Sequence, residues 1–229
     1  MIDFNFSQLA DQQFTSTAQN YLRPYNIYEV TLTKIEKTEI QGKKDPTAKY
    51  QAINLVFTGE DGTFDANLFV PNRPEDFEHK ENENTHKLQP SSWEKFYMTL
   101  LQIMEVLNPK GAETFKKLAK EGKIKNTDTF IEVVLKALSN KTFDKVFLKL
   151  VGRNNDGKVY ATLPTSCWYD MSENRVKPLN FINSDKTKLN FSAYELQQSK
   201  KLEEAKPTPM PDNSNADNSL LDDLDMDEL

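Results

Sequence analysis

One cysteine, seven glycines and two histidines are all that 229 residues hold of the residue types from which zinc sites, phosphate loops and catalytic relays are usually built. Cys167 alone cannot form an internal disulfide, which points to a reducing compartment. With His79 and His86 it falls short of a four-ligand zinc site unless carboxylates join. Both histidines sit in one stretch rich in Glu and Asn, where solvated loop histidines are expected. The seven glycines form neither G-x-G-x-x-G nor a Walker loop, and G-x-S-x-G and H-E-x-x-H do not occur. No metal, cofactor or catalytic centre is therefore expected, and the chain reads as a non-enzyme. A nuclease built on scattered carboxylates is the catalytic class that composition leaves open.

Long apolar runs are absent too. Nothing approaches the ~20 residues that cross a bilayer, and MIDFNFSQLADQQF has neither the basic start nor the apolar stretch of a secretory signal. The expectation is a cytoplasmic protein without a membrane partner.

Charge is unevenly placed. Of 35 acids, seven (Asp212, Asp217, Asp222, Asp223, Asp225, Asp227, Glu228) lie in residues 207–229, which hold no Lys or Arg. That leaves 28 acids against 29 bases in residues 1–206, a net of +1. The low pI belongs to the tail. KPTPMPDNSNADNS (206–219), with three prolines and little to bury, reads as a disordered linker.

Periodicity predicts the body. After an N-terminal extension (1–26), IYEVTLTKIEKTEI alternates, with Tyr28, Val30 and Leu32 on one face, as a half-wet strand does. YQAINLVFT (50–58), GEDG (59–62) and TFDANLFVP (63–71) make a hairpin, with Ile53, Leu55, Phe57, Phe64, Ala66, Leu68 and Val70 inward. Residues 72–90 read as a polar loop. Ser91 and Glu94 then form a capping box, and Trp93, Phe96, Tyr97, Leu100, Ile103, Met104 and Leu107 recur at helical spacing. Further helices are expected over 110–121 and 128–139. A second hairpin follows, DKVFLKLVG (144–152) and KVYATLP (158–164), and a last helix over 191–205. Three strands, a helical region around 91–140 and two strands predict a mainly β fold with an α insertion over 27–206. This is a five-stranded, OB-fold-like Greek-key barrel with its helical region between strands 3 and 4. An ordinary antiparallel sheet in an α+β domain is the competing architecture.

The last hairpin carries the functional signal. If Val146, Leu148 and Leu150 face inward, then Lys145, Phe147 and Lys149 face outward with Lys158 and Tyr160, and Arg153 lies in the turn. Rings stack on unpaired bases and cations track phosphates, so this stripe suits single-stranded nucleic acid. The same pattern also describes any half-exposed strand, with Phe147 covered by the helices. Tyr50 and Phe69 fall on outer faces, and Lys43, Lys44 and Lys49 lie in or beside the first loop. Trp168, just past the last strand, is either a cap on the core or a further stacking platform.

The chain ends LLDDLDMDEL, five acids among five apolar residues. A solubilising tail needs no apolar residues, so the spacing of Leu221, Leu224 and Met226 among Asp222, Asp223, Asp225, Asp227 and Glu228, up to Leu229, points to recognition. Body, linker and acidic tip together resemble the single-stranded-DNA-binding proteins of bacteria and bacteriophages. The resemblance lies in domain order and composition. It implies a body that coats single strands in replication, recombination or repair. It also implies a tail, residues 221–229, that recruits partner proteins and competes with DNA. If the chain is phage-encoded, its compartment is the bacterial host cytoplasm. Bacterial members end in a Pro-Phe pair, whereas this chain ends in Glu228-Leu229. The alternative is a non-enzymatic phage structural or adaptor protein acting through protein–protein contacts.

Overall fold

The computed structural model describes residues 20–42, 47–81, 88–155, 157–164, 169–170, 175–176 and 181–204. The first three strands are β1 (Asn26–Gln41), β2 (Lys49–Gly59) and β3 (Gly62–Phe69), paired antiparallel in sequence order. Helices α1 (Ser92–Leu107), α2 (Pro109–Lys120) and α3 (Thr127–Leu138) follow. The chain then returns to the sheet as β4 (Val146–Asn155), whose first half pairs with β1 and whose second half forms a hairpin with β5 (Lys158–Thr162). A two-residue strand β6 (Ile182–Asn183) takes the other edge of β4 at Leu148 and Phe147. Helix α4 (Ala193–Glu204) ends the described chain.

The result is a mixed β/α architecture with an antiparallel sheet in the order β3-β2-β1-β4-β5. Among the described residues no pairing joins β3 to β5, so the sheet stays open. No helix among them is long and apolar enough to cross a membrane.

Each element follows from local chemistry. Gly62 has φ +139°, and a Cβ there would lie 2.1 Å from the Asn20 carbonyl oxygen, so only glycine makes this turn between β2 and β3. In β1 the register slips between Leu32 and Lys34, leaving Thr33 as the extra residue of a bulge. The slip changes which parity faces the core. Tyr28, Val30 and Leu32 are buried before it and Ile35 after it. The capping box at α1 forms as expected. Ser91 Oγ accepts from the Glu94 amide at 3.1 Å, and Glu94 Oε2 accepts from the Ser91 amide at 2.8 Å. His79 Nε2 lies 2.8 Å from the same Glu94 carboxylate, which ties the loop histidine to the helix start.

The three inserted helices share a cluster of rings. Phe130 packs against Trp93, Phe96, Tyr97 and Phe115 at centroid separations of 5.2–6.1 Å. The cluster is continuous with the apolar face of the sheet, through Leu100, Ile103 and Met104 on one side and Ile53, Leu55 and Phe57 on the other. One polar side chain organises the helix junction. Asn108 Oδ1 accepts from the Gly111 amide at 3.0 Å as the cap of α2, and its Nδ2 donates to the Ala137 carbonyl at 2.9 Å across to α3. Asn108→Ala loses the cap and leaves that carbonyl short of a partner, so it should lower stability by about 1–2 kcal/mol in urea denaturation.

Candidate nucleic-acid interface

The face of the sheet turned away from α1, α2 and α3 carries nearly every described residue of the expected site. Along β1 it presents Ile27 and Glu29 before the bulge and Lys34, Glu36, Thr38 and Ile40 after it. The two ends of this face differ in character from its middle.

The middle carries more acids than bases and is cross-linked. Asn54 Nδ2 donates to Asp65 Oδ1 at 2.6 Å and to Asn67 Oδ1 at 3.1 Å. Lys34 pairs with Glu36 at 2.7 Å. Lys145 reaches both Glu29 (3.4 Å) and Glu60 (3.2 Å), and these carboxylates hold its ammonium pKa above the usual lysine value, Glu60 contributing most. At the start of β2, on the parity of the inward Ile53 and Leu55 and so off this face, Lys49 pairs with Glu39 at 3.2 Å. Lys145 and Lys49 are thus exposed but already matched by acids, and a phosphate would have to displace those acids.

Lys149 corrects the expected stripe. It was expected as an outward cation; its parity is outward, but it is buried, 6% exposed. Its Nζ donates to the Asn190 carbonyl at 3.0 Å and to both oxygens of Glu195 at 3.3 Å, and lies 5.3 Å from the centre of the Phe191 ring. Glu195 also caps its own helix, its Oε2 accepting from the Ser192 amide at 2.6 Å. The segment leading into α4 therefore covers the first half of β4. Phe147, beside it and paired with Glu29 and Asn183, is half-buried. Neither belongs to an open surface.

The second half of β4 is open. Arg153 stands directly opposite Tyr160, and Asn155 opposite Lys158, so all four share one face of the β4–β5 hairpin. Tyr160 is 53% exposed, and Arg153 and Lys158 are exposed without an ion-pair partner among the described residues. This hairpin keeps the ring-and-cation chemistry that the sequence stripe promised, over half its expected length.

At the other end of β1, Tyr50 and Phe69 are 45% and 55% exposed and meet edge to face, centroids 6.3 Å apart at 88°. They border a largely apolar cleft of about 530 Å³, which continues over Ile40, Val70 and Pro71 to Arg73 and Asp76. Asp76 fixes Arg73. It accepts from Arg73 Nε at 3.4 Å and Nη2 at 3.2 Å, and from the amides of Asn72 and Arg73 at 3.3 and 3.2 Å. Arg73 Nη1 lies 3.4 Å from Glu75. The guanidinium hydrogen bond holds the Asp76 carboxyl below the usual carboxylate range, and Asp76 in turn raises the Arg73 pKa. A larger concavity beside the β1 bulge, about 580 Å³, is lined by Lys34, Glu36, Lys37 and Asn140 and is mainly polar, with no ring to stack on.

No family model, curated protein or solved structure matches this chain.

Of the expected site residues, the structure brings together Tyr50 with Phe69 and Arg153 with Lys158 and Tyr160. It leaves these two groups at opposite ends of β1. Lys43, Lys44 and Trp168 lie outside the described residues, as do Leu221, Asp222, Asp223, Leu224, Asp225, Met226, Asp227, Glu228 and Leu229 of the tail. Arg73 and Asp76 fall within the stretch 72–90 that reads as a polar loop and were not among the expected site residues. The signal was present in N-R-P-E-D, where an acid three residues after Arg at a proline-started turn can close back on it. The Lys149–Glu195 pair joins residues 46 apart, a separation at which local periodicity carries no signal.

Proposed function

We propose that this chain binds single-stranded DNA without strong sequence preference, as a non-enzymatic coat protein of a replication or recombination system. The observation that carries this is the exposed hairpin face on which Arg153 opposes Tyr160 beside Lys158, with no carboxylate matched to either cation among the described residues. A cation with no internal partner is available to a phosphate, and an exposed ring beside it is available to a base. Duplex DNA withholds its base faces and would use only half of that chemistry. The strand order β3-β2-β1-β4-β5, with helices between the third and fourth strands, supports an OB-fold-like reading without the closing pair.

The tail fits the same reading. Residues 207–229 carry seven acids and no base, and a tethered polyanion acts at high effective concentration on any cationic surface within reach. The 14 residues 206–219 give a root-mean-square span of roughly 20 Å if they behave as a flexible coil. The tail then competes with DNA, and Leu221, Leu224, Met226 and Leu229 serve as apolar anchors for a replication or recombination partner.

The test is a titration of the full chain with labelled oligo(dT), matched RNA and duplex across a salt series. Oligo(dT) should bind more tightly than duplex, with affinity falling as salt rises. Deleting residues 207–229 should raise oligo(dT) affinity most at low salt, where charges are least screened. Equal affinity for duplex and single strand would refute the proposal. An unchanged affinity on truncation would refute the competition alone.

A further inference from the structure

The cleft at the far end of β1 has a chemistry different from that of the hairpin. Its floor is apolar, formed by Ile40, Val70 and Pro71, and two exposed rings, Tyr50 and Phe69, form one wall. Among the described residues, the only cation lining it is Arg73, and that guanidinium is already engaged. Its Nε and Nη2 edge lies on Asp76 and its Nη1 faces Glu75. Among the described residues, one positive charge stands against two carboxylates, so the Arg73 corner offers a phosphate no unmatched cation. Two of its five donors are taken by Asp76 and a third nitrogen faces Glu75, while its plane is uncovered by any of these contacts. A planar cation held by in-plane bonds is a stacking surface. Two guanidinium bonds to Asp76 hold it in place, and the amides of Asn72 and Arg73 hold Asp76 itself.

We propose that this cleft is a subsite for a single unstacked nucleobase, taken base-first and with its phosphate kept outside, between the Tyr50–Phe69 pair and the plane of Arg73. This rests on the single-strand reading above and adds to it a division of labour. The hairpin of Arg153, Lys158 and Tyr160 holds backbone charge, and the cleft holds an uncharged, flat group. Apolar walls, a T-shaped ring pair and a neutralised guanidinium fit a base and do not fit an anion. The pair sits on the outer face of β2 and β3, whose inward residues Ile53, Leu55 and Phe57 are fully buried, so the platform is rigid.

The experiment uses the full chain and the smallest probes that separate base from charge: thymidine, which has a base and no phosphate, and 2-deoxyribose 5-phosphate, which has a phosphate and no base. Saturation-transfer NMR should show contact at the thymine methyl and H6 and none for the sugar phosphate. Phe69→Ser and Arg73→Lys should each weaken thymidine by about fivefold or more, the lower end of what one base stack is worth. Arg73→Lys keeps the charge and removes the plane, so a loss there reports stacking and not electrostatics. Phe69 is exposed, so Phe69→Ser should retain the parent urea midpoint; Arg73→Lys keeps a cation for the buried Asp76, and its urea midpoint, measured alongside, separates a loss of stacking from a loss of fold.

Three outcomes overturn the subsite. The first is binding of the sugar phosphate as tight as that of thymidine. The second is thymidine contact unchanged in Arg73→Lys. The third is tryptophan amide occupying the cleft while thymidine does not, which would make it a peptide pocket. If any of these occurs while oligo(dT) still binds the chain, the single-strand proposal stands without the subsite. If oligo(dT) does not bind at all, both fall.

Discussion

Glu195→Ala is expected to cost roughly 3–5 kcal/mol of folding stability, the range for removing one partner of a buried ion pair. Lys149 cannot follow its lost partner into solvent. It sits on β4 between β1 and β6, and its ammonium is enclosed by Asn190, Phe191 and Glu195. With Glu195 gone, one carbonyl and one ring face remain for a desolvated cation. The substitution also removes the carboxylate that closes the start of α4 on Ser192, which adds about 1 kcal/mol at a helix N-terminus. No residue of α4 is fully buried, so the helix has little else to hold it down. Its amides should exchange far faster in Glu195→Ala than in the parent. The double variant Lys149→Met/Glu195→Ala separates the causes, because it removes the stranded charge along with the pair. Most of the lost stability should return in urea denaturation, while fast exchange over residues 193–204 persists. A single-variant cost below about 1 kcal/mol would mean that Lys149 is solvated in practice and that the pair contributes little.

The Lys149 pair also explains where sequence reading succeeded and where it failed. Period-2 and period-3.6 patterns report which side of an element is apolar, and they located all five long strands and the helical insertion. Tyr28, Val30, Leu32, Ile53, Leu55 and Phe57 are buried as the alternation predicts. Alternation has no access to what covers the other side. Lys149 and Arg153 have the same parity on the same strand, yet one lies beneath Phe191 and the other faces water. The difference is made by a segment about 40 residues further on. The bulge at Thr33 was invisible for a related reason: a single inserted residue reverses parity without changing composition. Asp76 closing on Arg73 was missed because a short turn has too few residues to show a period. What was legible at the site was residue chemistry. Rings and cations on outer faces could be named, but their division into an open hairpin and a separate cleft depends on tertiary cover.

That division makes the hairpin the place to measure function. Tyr160→Ala should weaken oligo(dT) binding by about 1–3 kcal/mol, the worth of one base stack, and should leave the salt dependence alone, because the ring carries no charge. Tyr160→Phe should retain most of the affinity, since stacking needs the ring and not the hydroxyl. Arg153→Ala with Lys158→Ala should act the other way. Each cation that meets a phosphate on a single strand contributes about 0.7 to the slope of log K against log salt, so the pair should flatten that slope by about 1.4. Their loss should be large at low salt and fade as salt rises. None of these side chains is buried, and Arg153 and Lys158 have no ion-pair partner among the described residues, so stability should stay within about 0.5 kcal/mol of the parent. Binding losses then cannot be blamed on unfolding. Lys145 is the internal comparison. It lies just before the same strand and is equally exposed, but Glu29 and Glu60 already hold it. Lys145→Ala frees two carboxylates on the outer face, so it should weaken the complex modestly through repulsion. If Lys145→Ala and the Arg153/Lys158 pair flatten the salt slope equally, the unpaired state of the hairpin cations is not what selects them, and the strand runs over the middle of the sheet instead.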